Sequence, residues 1–105
     1  MMEDLRLYAD EASVFLAAFA NGKRIQIICE LLQSELPVGT IAQKVGLSQS
    51  ALSQHLSRLR GLRLVNTRRD KQTIYYSCSS EQVRRLFGTL DEIFVPANAE
   101  QDVSA

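Results

Sequence analysis

The spacing of hydrophobic positions along this 105-residue chain changes twice. From about residue 4 to residue 60, apolar residues recur three or four positions apart, which is the spacing of one face of an α-helix. From residue 64 to residue 77 the chain is instead rich in β-branched and aromatic residues, which are typical of strands. Helical spacing returns after Ser79. The pattern therefore predicts a mainly α chain with one β-hairpin.

Turn-forming and capping residues divide the helical part into four predicted helices. The first covers about 4–20 and ends at Asn21-Gly22, where the Asn21 side chain can cap the second helix. Pro37 marks the end of the second helix, because a residue that precedes proline disfavours helical backbone. The predicted inward positions of this second helix are Ile25, Ile28, Leu31 and Leu32.

The third and fourth helices are short and are separated by a glycine turn. We expect the third over about 38–45, and Gly46 supplies the positive φ that a helix end often needs. Ser48 is a good N-cap for a fourth helix over about 49–60. The predicted inward positions are Ile41, Ala42 and Val45 in the third helix and Leu52, Leu56 and Leu59 in the fourth.

The hairpin is predicted to pair residues 64–69 with residues 72–77, with Asp70-Lys71 at its tip. Because the tip contains no glycine, we expect a type I turn or a slightly longer loop. Tyr75 and Tyr76 alternate, so one ring should pack inward. The last helix should begin near Ser79, where Ser79-Ser80-Glu81-Gln82 fits a capping box.

The two faces of the predicted fourth helix differ in chemistry. Its inward leucines can anchor it to the protein, whereas the opposite face has short hydroxyl side chains and two amides. Gln49 and Gln54 can bind the N6 and N7 groups of adenine, and serine hydroxyls can bind bases or phosphates. There is no acidic residue from Ala42 to Arg69. A helix with one anchored face and one short polar face is suited to the DNA major groove, and residues 38–60 have helix-turn-helix character.

The predicted DNA-binding residues lie on this helix and on the hairpin. They are Ser48, Gln49, Ser50, Ser53, Gln54, Ser57 and Arg58 on the helix, with Arg68, Arg69 and Lys71 on the hairpin. Further candidates are Arg24, Thr40, Lys44 and His55. For Arg24 and Lys44 the alternative is plain solvation, and for His55 it is a hydrogen-bonded structural role at the edge of the core.

The charge is zero overall but unevenly distributed. Residues 1–22 sum to −3, residues 23–79 to +6 and residues 80–105 to −3. A basic middle region between acidic ends fits a localised surface for a polyanion, although a solvated charged face would have the same composition.

The composition also limits the classes of function. The acidic N-terminus lacks the basic start and apolar stretch of a signal peptide, and no apolar run approaches the roughly 20 residues of a membrane span, so we expect a cytoplasmic protein without a membrane partner. There is no nucleophile elbow, no phosphate-binding glycine loop and no cysteine beside a histidine, so we expect no enzyme activity. One histidine and two separated cysteines predict neither a metal site nor a bound cofactor.

Three stretches resemble the ArsR-type winged helix-turn-helix regulators. Residues 38–60 are similar to the helix-turn-helix of that family, most specifically in the Ser-x-His-Leu-x-x-Leu run from Ser53 to Leu59. Residues 65–76 resemble its wing, and residues 21–24 resemble the junction before its second helix. The resemblance covers about residues 10–95. Residues 46–59 and 67–76 are most similar to a regulator of nodulation genes.

The resemblance implies a homodimer that is built on the first and last helices. It also implies repression by binding an inverted repeat of double-stranded DNA in a promoter. The expected dimer residues are Leu5, Tyr8, Ala12, Phe15, Leu16, Phe19, Leu86, Leu90, Ile93 and Phe94. The alternative is that these apolar positions cover the core of their own chain. Residues 1–95 form one domain in this interpretation, and Pro96 to Ala105 is expected to be a disordered tail.

The sequence departs from the ligand-sensing members of that family. Metal sensors have paired cysteines near the third helix, or histidine and carboxylate ligands in the last helix, but residues 38–45 contain no cysteine and residues 79–95 contain no histidine. Persulfide sensors have one cysteine in the second helix, where Cys29 lies, and another where this chain has Val95. We expect Cys29 to pack in the core and Cys78 to be structural. A repressor that responds to oxidation through Cys29 and Cys78 remains an alternative, as does a winged-helix module that binds protein instead of DNA.

Overall fold

The fold consists of six helices and a small antiparallel sheet, whose strands are interspersed with the helices along the described part of the chain. The computed structural model describes residues 2–97. In chain order the elements are α1 (Met2–Leu7), α2 (Ala9–Ala17), α3 (Gly22–Gln33), β1 (Leu36–Pro37), α4 (Val38–Val45), α5 (Gln49–Gly61), β2 (Asn66–Asp70), β3 (Thr73–Ser77) and α6 (Glu81–Phe94). The predicted order of helices and hairpin is confirmed, with two additions.

The first addition is a break in the first predicted helix. Tyr8 leaves the helical conformation with φ −112° and ψ 21°, so residues 4–20 do not form one helix. Its N–H donates to the carbonyl of Leu5 and its carbonyl accepts from the N–H of Ala12, both at 2.9 Å. The break contains neither glycine nor proline, so the sequence pattern gave no sign of it.

The second addition is the short strand β1. It pairs antiparallel with β3, with Leu36 opposite Tyr76 and Pro37 opposite Tyr75, so the sheet has three strands in the order β1-β3-β2. Our prediction of a two-stranded hairpin was therefore incomplete. Two residues are too few to show a period, and Pro37 is tolerated because β1 is an edge strand.

The hairpin tip also differs from our prediction. Asp70 pairs with Thr73, so the connection is the two residues Lys71 and Gln72. Lys71 has φ +58°, whereas a type I turn needs negative φ at both central positions. A positive φ matches the right-handed twist of the paired strands, which explains why a non-glycine residue takes this conformation.

The core lies where α3, α4, α5 and α6 meet. The inward positions predicted for α4 and α5 are confirmed, and Leu52 and Leu59 have no measurable exposure. In α3 the prediction was partly wrong, because Ile25 is 36% exposed and Ile27 is fully buried. The buried apolar residues are Ala18, Phe19, Ile27, Ile28, Leu31, Ile41, Ala42, Val45, Leu52, Leu56, Leu59, Val65, Cys78, Val83 and Phe87.

Aromatic contacts join the end of α2 to α6. The rings of Phe15 and Phe19 meet edge to face with centroids 5.2 Å apart, and Phe19 meets Phe87 at 5.4 Å. Phe19 is only 4% exposed. Phe19 therefore belongs to the core of its own chain. For this residue, the alternative to a role in the dimer is the correct one.

The predicted caps form at three of the four positions. Asn21 Oδ1 accepts from the N–H of Arg24 at 3.1 Å, and Ser48 Oγ accepts from that of Ala51 at 3.1 Å. Gly46 ends α4 with φ +69°. The predicted capping box does not form, because α6 is capped by Ser80 and the third helical position is Val83.

Candidate nucleic-acid interface

The turn between α4 and α5 is fixed by backbone and side-chain hydrogen bonds. With Gly46 in the left-handed region, the N–H of Leu47 donates to the carbonyl of Ala42 at 3.0 Å. The ammonium of Lys23 on α3 donates to the carbonyl of Val45, which would otherwise be one of the unsatisfied groups at the helix end. These contacts fix the direction in which α5 begins.

Helix α5 presents one polar face to solvent. Its leucine stripe is buried, and the side chains on the opposite face are exposed, as predicted for Gln49, Ser50, Ser53, Gln54 and Ser57. Arg58 is exposed near its C-terminal end. Such a helix can approach another surface closely, because its exposed side chains are short for most of its length.

The start of α5 lies close to the start of α4. The amide Nε2 of Gln49 is 3.9 Å from the position that a Cβ on residue 39 would occupy, and residue 39 is glycine. The nearby Thr40 is half-buried, whereas Lys44 is exposed with its Nζ 3.8 Å from a carboxylate oxygen of Glu30. Lys44 is thus partly neutralised on this surface.

The three cations of the wing have different surroundings. Arg68 donates from Nε and Nη2 to the carboxylate of Glu35, with the shortest contact at 2.7 Å, and its guanidinium lies 4.6 Å from the ring centroid of Tyr75. These hydrogen bonds hold the pKa of Glu35 below its usual value. Arg69 and Lys71 are exposed, at the end of β2 and at the tip.

Arg24 lies between helices instead of extending into solvent. Its Nε donates to the carbonyl of Ala18 at 2.7 Å, and its Nη1 is 3.4 Å from Nδ1 of His55 on α5. His55 is half-buried beside the leucine stripe, as expected for a residue at the edge of the core. The structure thus brings together two of the candidates that the sequence could only name separately.

Sequence reasoning missed Glu35, Tyr75 and Lys23 as residues that shape this surface. Glu35 lies 33 positions before Arg68 in the chain. Only the pairing of β1 with β3 brings that region beside the wing, and a two-residue strand leaves no pattern in the sequence. The signal that could have found Tyr75 was its position beside Tyr76, since one of the two had to face outward.

The two cysteines have different environments. Our expectation for Cys29 was wrong, because this residue is exposed, and Cys78 is buried. Partial desolvation, together with the carboxylates of Glu30 and Asp91, raises the pKa of Cys29. Burial raises the pKa of Cys78, against smaller opposing effects of a backbone hydrogen bond with Ser80 and the charge of Arg84. Both residues are therefore held as neutral thiols at neutral pH.

The expected dimer residues differ in their exposure to solvent. Leu5, Tyr8, Leu16, Ile93 and Phe94 are exposed, Ala12, Phe15, Leu86 and Leu90 are half-buried, and Phe19 is buried. None of the residues of α2 is buried, although this helix is largely apolar. An open apolar depression is lined by Leu5, Arg6, Ala9, Ala12, Ser13 and Leu16. Residues 98–105 of the expected tail lie outside the described part of the chain.

Within residues 2–97, the acidic, histidine and cysteine side chains form no cluster of three or more that could hold a metal ion. In the same residues, every helix is too short or too polar to cross a membrane.

Comparison with known proteins gives consistent matches. Residues 21–67 match the model of the bacterial regulatory protein family arsR. The chain is 57% identical over 86 residues to the nodulation protein NolR of Rhizobium meliloti, covering 82% of this chain and 70% of that protein. It is 43% identical over 97 residues to the transcriptional activator HlyU of Vibrio cholerae, covering 92% and 90%. The likeness to NolR that residues 46–59 and 67–76 indicated is confirmed.

Solved structures agree with these matches. The crystal structure of NolR from Sinorhizobium fredii superposes with a TM-score of 0.82 at 54% identity, covering 90% of this chain and 94% of that one. The solution structure of the homodimeric winged helix-turn-helix DNA-binding domain of Mb0332 from Mycobacterium bovis has a TM-score of 0.73 at 33% identity, covering 84% and 82%. The predicted winged helix-turn-helix fold is confirmed.

Proposed function

Because this chain belongs to the ArsR family of bacterial regulatory proteins, we propose that it is a transcriptional regulator that binds a specific sequence of double-stranded DNA as a homodimer. In this proposal α5 enters the major groove and the wing contacts the phosphate backbone beside it. Each subunit binds one half of an inverted repeat.

The observation that supports DNA binding best is the chemistry of the exposed face of α5. Its amides and hydroxyls can donate to and accept from base edges, and the absence of acidic residues between 42 and 69 avoids repulsion by phosphates. The buried leucine stripe and the bonded turn fix this face relative to α4 and the core. A helix that only faced solvent would more often have Glu and Lys at these positions.

The dimer is supported by apolar surface that one chain leaves uncovered. Ile93 and Phe94 at the end of α6 are 64% and 76% exposed, and Leu16 on α2 is 54% exposed. A largely apolar helix with no buried residue is normally covered by another element. In a two-fold dimer, the two α5 helices would lie about 34–36 Å apart, the distance between successive major grooves.

The direction of regulation follows from where the operator lies. We propose repression by promoter occupancy, as the resemblance to the family implies, and NolR suggests nodulation-type genes as targets. HlyU is a transcriptional activator, so the sign of regulation has to be measured for this chain. A reporter gene with the operator overlapping its promoter measures the sign: expression should fall when the protein is produced.

The test begins with selection of a preferred site from a pool of random duplexes. Fluorescence anisotropy then compares that site with random DNA across a salt series. We expect tight, salt-dependent binding of two chains to a palindromic site. Arg69→Ala and Lys71→Ala should each lower the salt slope by about one unit per lost phosphate contact. No binding at low salt would overturn the proposal in favour of a winged-helix module that binds protein.

A separate measurement tests the dimer. Sedimentation equilibrium should give twice the chain mass for the native protein and a monomer for Phe94→Asp, because a carboxylate cannot be buried in an apolar interface without a partner. Arg85→Ala, on the same helix but exposed and polar, is the matched control and should remain dimeric. A native protein that sediments as a monomer would overturn the dimer.

A further inference from the structure

Arg24 contacts residues from three segments of the chain. Its backbone N–H binds the N-cap Asn21 of α3, its Nε donates to the carbonyl of Ala18 just after α2, and its Nη1 faces Nδ1 of His55 on α5. Two of these partners, Ala18 and His55, lie 6 and 31 positions away in the chain. One side chain therefore links the end of α2 to the middle of α5.

The chemistry of this contact requires a guanidinium. A guanidinium is planar and can donate in two directions from fixed positions, whereas a lysine ammonium is a point charge on a flexible stem. Because a guanidinium only donates, a hydrogen bond at this contact needs Nδ1 of His55 as its acceptor. The carbonyl of Ala18 is one of the groups that a helix end leaves without an intrahelical partner.

We infer that Arg24 is a positioning residue that sets the angle between α2 and the DNA-binding helix α5. This inference depends on the proposed function, in which α2 has apolar surface for the partner subunit and α5 enters the groove. In a dimer, the angle between these two helices determines how far apart the two α5 helices lie. Arg24 thus determines which spacing of operator half-sites the protein accepts, without binding DNA itself.

The contacts of Arg24 favour this role over phosphate binding. Its Nε is engaged with a backbone carbonyl at 2.7 Å, and the group is partly buried between helices. A phosphate could bind only the guanidinium N–H groups that these two contacts leave free, on a side chain that is already held on one side by the protein. The two roles also differ in their dependence on salt, because only a phosphate contact releases counterions.

The experiment uses the operator selected by the native protein and versions of it with one or two base pairs inserted or deleted at the centre. Dissociation constants are measured for the native protein, Arg24→Lys, Arg24→Ala and His55→Ala. We expect the native protein to lose at least about tenfold in affinity on altered spacing, a difference of about 1.4 kcal/mol. In the Arg24 variants this preference should shrink to about threefold or less, mainly through weaker binding to the original site. His55→Ala should shift the preference in the same direction.

The salt series separates positioning from phosphate binding. Arg24→Lys should keep the native slope while losing the spacing preference. If Arg24→Lys binds like the native protein and Arg24→Ala lowers the slope by about 0.9 for each subunit, Arg24 is a phosphate contact and the inference is overturned. A uniform loss on all spacings together with a lower melting temperature would also overturn it, since that is the result for a residue that only supports the fold.

A control variant and the native protein itself complete the design. Arg85→Ala removes an exposed arginine far along the chain and should leave the spacing preference unchanged. Failure of the native protein to bind any duplex would contradict the proposed function itself, whereas native binding with an unchanged spacing preference in Arg24→Lys would contradict only the role of Arg24.

Discussion

Arg68 of the wing is bound by the carboxylate of Glu35, which lies just before β1. Two guanidinium nitrogens contact the carboxylate at 2.7–3.1 Å, and the same guanidinium lies against Tyr75. The hydrogen bonds from Arg68 lower the pKa of Glu35. The ion pair is therefore fully formed above the usual pKa of a glutamate carboxyl, and it is lost only as the pH falls through the lowered value. At neutral pH, Arg68 is therefore held at the base of the wing, and a phosphate must compete with Glu35 for it.

Glu35→Gln should strengthen binding to all DNA sequences. The substitution removes a negative charge from the wing and makes Arg68 available to a phosphate, so the salt slope should rise by about one unit for each subunit. Fluorescence anisotropy on random duplexes at several salt concentrations measures both quantities.

The Arg68→Ala background separates the two causes of that gain. If the released guanidinium is responsible, Glu35→Gln should not raise the slope once Arg68 is absent. An equal rise in both backgrounds would show that Glu35 acts only through its own charge.

The amides on α5 should determine sequence preference. Gln49→Ala or Gln54→Ala should cost about 1–3 kcal/mol on the selected operator and relax the preference at one base pair in each half-site, because a bidentate contact to a base is lost. Binding to random DNA should change little. A second pool selection with each variant identifies the relaxed position, and equal losses on operator and random DNA would contradict base contacts by these residues.

Ile27 and Ile25 form a matched pair for stability. Ile27 is fully buried in α3, so Ile27→Ala should lower the free energy of unfolding by about 2–5 kcal/mol. Ile25 is 36% exposed, so Ile25→Ala should change it by about 0.5 kcal/mol or less. Urea denaturation at fixed protein concentration gives both values, and similar losses for the two variants would contradict the observed packing of α3.

This pair also illustrates what the sequence could and could not predict. Helix α5 has one leucine stripe with polar residues on the other side. Its pattern therefore allowed only one buried face, and the opposite face was correctly predicted to be exposed. Helix α3 has apolar residues at 25, 27, 28, 31 and 32, so two overlapping faces fit the helical period. The packing of neighbouring elements decides between these faces, and periodicity contains no information about that packing.

Contacts between distant segments were likewise beyond sequence reasoning. The helix-turn-helix, its caps and the hairpin depend on local patterns and could be predicted. The pairing of Arg68 with Glu35, and that of Arg24 with His55, depends on how the chain returns on itself. The sequence identified the candidate arginines. It did not distinguish Arg69, which is exposed, from Arg68 and Arg24, which are hydrogen-bonded to other parts of the chain.

The thiols should react slowly at neutral pH. Because the pKa values of Cys29 and Cys78 are both raised, alkylation by iodoacetamide should accelerate only as the pH rises above the usual range for cysteine. Cys29 should react in the folded protein and Cys78 only on unfolding, since Cys78 is buried. Mass spectrometry of alkylated peptides tests the order.

Thiol titration before and after a mild oxidant tests the redox-responsive alternative. We expect two thiols in both samples. If both thiols are lost and DNA binding is kept, the protein is oxidised without being regulated. If both thiols and DNA binding are lost, the redox-responsive repressor is established.

The pairing of Leu36 with Tyr76 has a consequence for how the protein folds. These two residues close a loop that contains the whole of α4 and α5 together with the turn between them. Strand β1 joins the sheet only when the two ends of that loop meet, and while β1 stays paired the loop has fewer unfolded conformations open to it. Native-state hydrogen exchange should therefore show the central strand β3 and helix α5 opening together as one cooperative unit instead of two independent ones.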